Sequence, residues 1–117
     1  MTEPTRIFHN PRCSKSRQTL ALLEDNGVQP EIIRYLETPP TAEELSDILD
    51  LLGLAPRELM RSKETLYKEL GLDDPALDRD TLINAMVSNP KLIERPIVIR
   101  QGKAVLGRPP ENVLDLL

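Results

Sequence analysis

Residues 5–35 read T-R-I-F-H-N-P-R-C-S-K-S-R-Q-T-L-A-L-L-E-D-N-G-V-Q-P-E-I-I-R-Y, and this stretch decides the fold. Thr5 to His9 is a short strand pattern, cut off by the turn-forming pair Asn10-Pro11. After Cys13 the chain reads as a helix from about Ser14 to Asn26, with Leu20, Leu22 and Leu23 as its apolar face and Gly27 placed to end it. Glu31 to Tyr35 is strand-like again. Strand, helix and strand in that order make a βαβ unit, which implies parallel pairing and a right-handed crossover.

Working outward, Thr41 and Glu44 have the spacing of a capping box, and Leu45, Ile48, Leu49 and Leu52 follow as one buried helix face. Pro56 opens a short helix to about Met60, and Ser62 to Leu70 reads as another helix closed by Gly71. Asp78 is placed to cap a helix whose stripe is Leu82, Ile83, Met86 and Val87. The period then changes. Pro96 to Arg100 and Lys103 to Leu106 are strands joined by Gln101-Gly102, a β-hairpin, and Glu111 to Leu117 is a terminal helix. The order βαβ, helical insertion, ββα fits an α/β domain with one four-stranded mixed sheet, and a thioredoxin-like fold is the simplest match. Residues 1–117 are expected to form a single domain.

Composition narrows the function. Large aliphatics fill 33 of 117 positions, enough for one compact core. With Phe8, Tyr35 and Tyr67 as the only aromatics and a net charge of -4, the chain lacks the stacking platforms and basic surface of a nucleic-acid binder. Its short apolar runs suit no membrane span, and no charged-then-apolar leader precedes the first strand, so a cytoplasmic location is expected. A monomer is expected from the small size and acidic balance. One cysteine and one histidine exclude a disulfide framework and a multi-cysteine zinc site, and argue against a protein-ligated transition metal. Arginine outnumbers lysine ten to five in an otherwise acidic protein, and its rigid, always-charged fork suits oxyanions.

That cysteine is the sharpest signal. Cys13 stands at a strand-to-helix junction, where free backbone N–H groups favour an anion and lower a thiol pKa. Between residues 1 and 17 the charges are Arg6, Arg12, Lys15 and Arg17 against Glu3, a local +3. An isolated cysteine is as a rule inert packing, but Arg12, Ser14, Lys15 and Ser16 are not the neighbours of a core residue. The spacing also excludes alternatives. Position 16 is Ser, so there is no dithiol C-x-x-C pair, and a partner thiol must resolve any adduct. Thr19 stands where a tyrosine-phosphatase loop needs Arg. His9 is open to two readings, a satisfied strand residue or a support for the thiol.

Several segments recur together in a known family. They are His9-Asn10-Pro11-x-Cys13 with Ser16-Arg17, Tyr35-Leu36-Glu37-Thr38-Pro39-Pro40-Thr41, Leu59-Met60-Arg61, Tyr67 to Leu72, Arg95-Pro96-Ile97 and Gly107-Arg108-Pro109. In number, order and spacing they resemble the glutaredoxin-linked arsenate reductases, most closely the chromosomal YfgD-like branch, over essentially the whole chain. The resemblance implies that Cys13 is the nucleophile and that Arg61, Arg95 and Arg108 bind the oxyanion. His9, Ser16, Arg17 and Pro96 take supporting places, and the Arg95-Pro96 bond is cis. It implies reduction of arsenate to arsenite through a Cys13 thiol–arsenic adduct, with glutathione as co-substrate, glutaredoxin as partner and no tightly bound cofactor. Arg12 and Lys15 read, with Arg17, as electrostatic tuning or a glutathione-facing rim. Two other readings remain open at this stage. One is a monothiol oxidoreductase acting on glutathione mixed disulfides, with arsenate incidental. The other is a redox-linked regulator of RNA polymerase, whose paired-cysteine switch Ser16 removes.

Overall fold

The computed structural model describes residues 4–117; Glu3, counted above among the charges, lies outside the described residues. The described chain forms two compact units. One runs to Thr38 and resumes at Arg95–Leu117; the other is the insertion Pro39–Glu94.

The first unit holds a four-stranded mixed sheet in the order β2-β1-β3-β4, from β1 (Arg6–Phe8), β2 (Glu31–Ile33), β3 (Ile97–Arg100) and β4 (Lys103–Leu106). β1 pairs with β2 in parallel, Ile7 opposite Ile32, as the βαβ reading requires. β1 and β3 pair antiparallel, Ile7 opposite Val98, and β3 returns antiparallel through β4, Val98 opposite Val105. Gln101 and Gly102 both have positive φ, 51° and 75°, the backbone that a two-residue hairpin turn needs to match strand twist. The central strands are buried on both faces, so Ile7-Phe8 and Ile97-Val98-Ile99 are continuous apolar runs. β2 is at the sheet edge, and Ile32 is accordingly exposed.

Helix α1 (Ser14–Asp25) and a 3-10 helix (Pro110–Leu116) pack together over one sheet face, and their core is Ile7, Leu23, Val98 and Val113. Two sequence expectations change here. The buried stripe of α1 is Ser16, Thr19 and Leu23, with Leu20 and Leu22 only partly buried. The terminal segment is 3-10 rather than α: its inward residues Pro110, Val113 and Leu116 recur every three positions, the 3-10 period. β2 is also shorter than read, because the carbonyl of Arg34 accepts the N–H groups of Glu37 and Thr38 and turns the chain.

In the insertion, α2 (Ala42–Leu52) starts in the expected capping box, Thr41 Oγ1 accepting from Glu44 N and Glu44 Oε1 from Thr41 N. It packs on α4 (Arg79–Ser88), where Asp78 caps Thr81, through Leu45, Ile48 and Leu49 against Leu82, Ile83 and Met86. The helix read over 62–70 shrinks to α3 (Thr65–Glu69). Glu64 is extended and ion-paired to Arg61 at 2.9 Å, and Tyr67 is the one buried side chain of α3, too little apolar surface to sustain a longer helix. Pro56–Leu59 forms a 3-10 turn.

Leu23, fully buried between sheet and 3-10 helix, carries the core of the first unit. Leu23→Ala is expected to lower unfolding free energy by about 2–5 kcal/mol in urea titration. A loss under about 1 kcal/mol would contradict this packing.

Candidate active site

The site is built on the turn between β1 and α1. His9 follows the strand and still bonds to the sheet edge, its N–H donating to Ile33 O at 2.8 Å. Asn10 to Cys13 close a turn, Cys13 N donating to Asn10 O at 3.0 Å, and Asn10 Oδ1 accepts Arg12 N at 3.0 Å. Cys13 is the N-cap residue of α1, with extended φ and ψ, and offers no side-chain cap to the helix. The first helical turn is tied back to the strand by Ser16. Its hydroxyl, fully buried, lies 2.6 Å from His9 Nδ1 and accepts Asn10 N at 3.1 Å. Arg17 braces the same turn by donating from Nη1 to Pro11 O at 3.0 Å.

This arrangement sets the charge state of the thiol. Cys13 is 8% exposed, and burial alone pushes its pKa up. Opposing that, the backbone N–H of Ser16, the guanidinium of Arg95, the N–H of Lys15 and the guanidinium of Arg108 together hold the thiol below its ordinary value. Lys15 and Ser16 therefore act on the sulfur through their amides, as the open N-terminal groups of a helix do. His9 is held below its ordinary value by burial first, then by the charges of Arg34 and Arg17, so its imidazole is neutral at neutral pH.

Two arginines reach this thiol from the other end of the chain. The Arg95-Pro96 peptide is cis, as the resemblance implies, and Arg108-Pro109 is cis as well, which the sequence reading did not foresee. Arg108 Nη1 lies 4.0 Å from Cys13 Sγ and donates to Arg95 O at 3.2 Å. The loop carrying Arg108 is seated by Gly107, whose N–H donates to Pro96 O at 2.9 Å. A Cβ on Gly107 would meet Thr19 Oγ1 at 2.6 Å and Pro96 Cγ at 2.8 Å. Thr19 itself is fully buried and donates to Lys15 O at 2.8 Å. Neither Thr19 nor Gly107 was picked out as a site residue from sequence. The available signal was polar Ser16 and Thr19 three apart on a helix, and a glycine immediately before Arg108.

Arg61 belongs to the insertion. There its side chain pairs with Glu64 at 2.9 Å and Glu94 at 3.8 Å, and donates to Lys91 O at 3.3 Å. The structure thus gathers Cys13, His9, Ser16, Arg17, Arg95, Pro96 and Arg108 within one unit, and gives Arg61 carboxylate partners of its own. Among the described residues, no group of three or more His, Cys, Asp or Glu is arranged to hold a metal ion.

Fold and site define a thioredoxin-like protein with a single thiol at the start of its first helix. Residues 8–116 match the family described as "ArsC family", and the chain belongs to it. It is 60% identical over 118 residues to the "Uncharacterized protein YfgD" of Escherichia coli K12, covering 100% of this chain and 99% of that one. A Neisseria meningitidis protein named "Arsenate reductase" is 58% identical over 113 residues, 96% of this chain and 97% of its own. The solved structure titled "Arsenate reductase from Vibrio cholerae" superposes with a TM-score of 0.96 at 55% identity, covering 100% of both chains.

Alkylation of Cys13 by iodoacetamide is expected to show a pH midpoint below that of a free thiol, about 8.5. Arg108→Gln removes a cation that favours the thiolate, so its midpoint moves upward; a midpoint unmoved by the change would remove Arg108 from the field at the sulfur. Gly107→Ala forces a methyl against Thr19 and Pro96 and is expected to cost about 1–3 kcal/mol of stability by urea titration. Wild-type stability in that variant would mean the contact is slack.

Proposed function

We propose that this chain reduces arsenate to arsenite with Cys13 as the nucleophile. The observation that carries the reading is a thiol held below its ordinary pKa at a helix start, with the Arg108 guanidinium 4.0 Å from the sulfur. Arsenate is anionic at neutral pH, so a thiolate attacking it brings like charges together. Preorganised guanidinium groups offset that repulsion and bind tetrahedral oxygens by charge-assisted hydrogen bonds. Arg95 and Arg108 take this part beside the sulfur, and Arg61 is assigned to the oxyanion by the family pattern.

In the proposed sequence, the Cys13 thiolate displaces one arsenate oxygen, which leaves as water after protonation, and a sulfur–arsenic(V) bond forms. Glutathione displaces a second oxygen in the same way. A glutaredoxin thiolate then attacks the glutathione sulfur. The sulfur–arsenic electron pair passes to arsenic, giving arsenic(III) and a mixed disulfide. Water releases arsenite and regenerates the Cys13 thiol. Two electrons reach arsenic, both from external thiols, consistent with one cysteine in the chain. A cytoplasmic location, where such thiols are kept reduced, goes with this reading.

The test is NADPH consumption driven by arsenate, coupled through glutathione, glutathione reductase and a glutaredoxin. Wild type is expected to turn over, Cys13→Ser to fall to background, and Arg95→Ala to lose about 10²–10³-fold in kcat/KM, the usual scale for removing a group that stabilises developing charge. No arsenate-dependent turnover in wild type, or turnover that survives Cys13→Ser, would sink the proposal.

A further inference from the structure

Because the chain has one thiol, any adduct on Cys13 must be resolved by a thiol from outside, and that thiol needs a place to dock. The cations beside the sulfur, Arg95 and Arg108, are taken in the proposed function by the oxyanion. A second set stands on the other limb of the same turn. A cavity of about 340 Å³ is walled by His9 and the Asn10-Pro11-Arg12 turn, and by Arg34, Leu36 and Glu37 from the turn after β2. Pro11 and Arg12 are also the residues that lead directly into Cys13, so the cavity is built on the turn that presents the reacting thiol. Among the described residues neither Arg12 nor Arg34 is in an ion pair, and Glu37 is unpaired on the same wall. Leu36 adds an exposed apolar side chain to the charged set. Two cations, one anion and an apolar surface complement a molecule with two carboxylates, one ammonium and a methylene backbone. The volume lies at the small end of the about 300–1,000 Å³ usual for small-molecule sites.

We propose that this cavity is the docking site for the resolving thiol, a small peptide-like thiol whose carboxylates bind Arg12 and Arg34 and whose ammonium group binds Glu37. The inference rests on the reading of Cys13 as the reacting thiol, and it adds where the co-substrate docks and the residues that select it. Selection is separate from thiol activation: the cavity cations act on the ligand, while the amides of Ser16 and Lys15 with Arg95 and Arg108 act on the sulfur.

The experiment follows disulfide exchange at Cys13 in the full chain, with no arsenate present. The Cys13 thiolate attacks a disulfide, one S–S bond breaks as another forms, and a thiolate leaves. The probes are glutathione disulfide, dithiodipropionate (carboxylates without ammonium) and 2-hydroxyethyl disulfide (uncharged), the last serving as internal standard for thiol reactivity in every variant. Wild type is expected to prefer glutathione disulfide over the uncharged probe. Arg12→Gln and Arg34→Gln should each lower that ratio about tenfold, the scale of one charge-assisted hydrogen bond. Glu37→Gln supplies the deciding sign. It should lower the ratio for glutathione disulfide alone if the carboxylate binds ammonium. A bare positive field would instead make both anionic probes faster when that negative charge is removed.

A ratio unchanged in the Arg12→Gln/Arg34→Gln double variant overturns the site, as does a ratio unchanged or raised by Glu37→Gln. Selectivity here without arsenate turnover would overturn the proposed reaction and support the docking site; arsenate turnover without selectivity would overturn the docking site alone.

Discussion

The absence of a side chain at Gly107 lets two distant parts of the chain touch. Its backbone lies against Thr19 on α1 and against Pro96 at the head of β3, closer than any residue with a Cβ could come. That approach seats the loop carrying Arg108 over the first turn of α1, and Arg108 in turn reaches both the Arg95 carbonyl and the Cys13 sulfur. The buried hydroxyl of Thr19 fits because it is satisfied within its own helix, by Lys15 O. A side chain at Gly107 would force Thr19 or Pro96 to shift.

A thiol in this position is pulled in two directions. Burial opposes the thiolate, while the amides of Ser16 and Lys15 and the guanidinium groups of Arg95 and Arg108 favour it, and together they prevail. The amides are aimed only because the helix start is anchored. Ser16 does this with one hydroxyl shared between His9 Nδ1 and Asn10 N, so the residue standing where a C-x-x-C motif has its second sulfur braces the first turn. His9 contributes as a neutral partner, burial and two nearby arginines keeping it uncharged. Reactivity at one sulfur is thereby divided among groups from both ends of the chain, and none of them is itself a thiol.

Much of this was legible in advance where the signal is local. The βαβ opening, the capping box at Thr41 and Glu44, the Asp78 cap and the Gln101-Gly102 hairpin rest on residues within a few positions of each other, and local chemistry decides them. Cys13 at a helix start was readable for the same reason. The misread elements are those where tertiary packing overrides a local pattern. The 62–70 helix looked plausible by composition, yet the Arg61–Glu64 ion pair and an almost unburied face leave only Thr65–Glu69 helical. The C-terminal segment tightened to 3-10 because its inward residues recur every three positions. In α1 the leucine-rich end looked like the buried face, but polar Ser16 and Thr19 are more deeply buried than Leu20 and Leu22, because they serve the turn and the Gly107 loop.

By itself the sequence determined the order of elements, the mixed sheet and the single thiol at a helix N-terminus. Those follow from hydrophobic period, caps and turn residues, all short-range properties. It also supplied an excess of arginines, which only the family resemblance ranked by position. Only the tertiary structure decided that Arg108 lies 4.0 Å from Cys13, that Arg61 engages Glu64 and Glu94, and that Arg12, Arg34 and Glu37 share one cavity. Groups as far as ninety-five positions apart acquire meaning from the distances between them, and sheet register and close backbone approach set those distances.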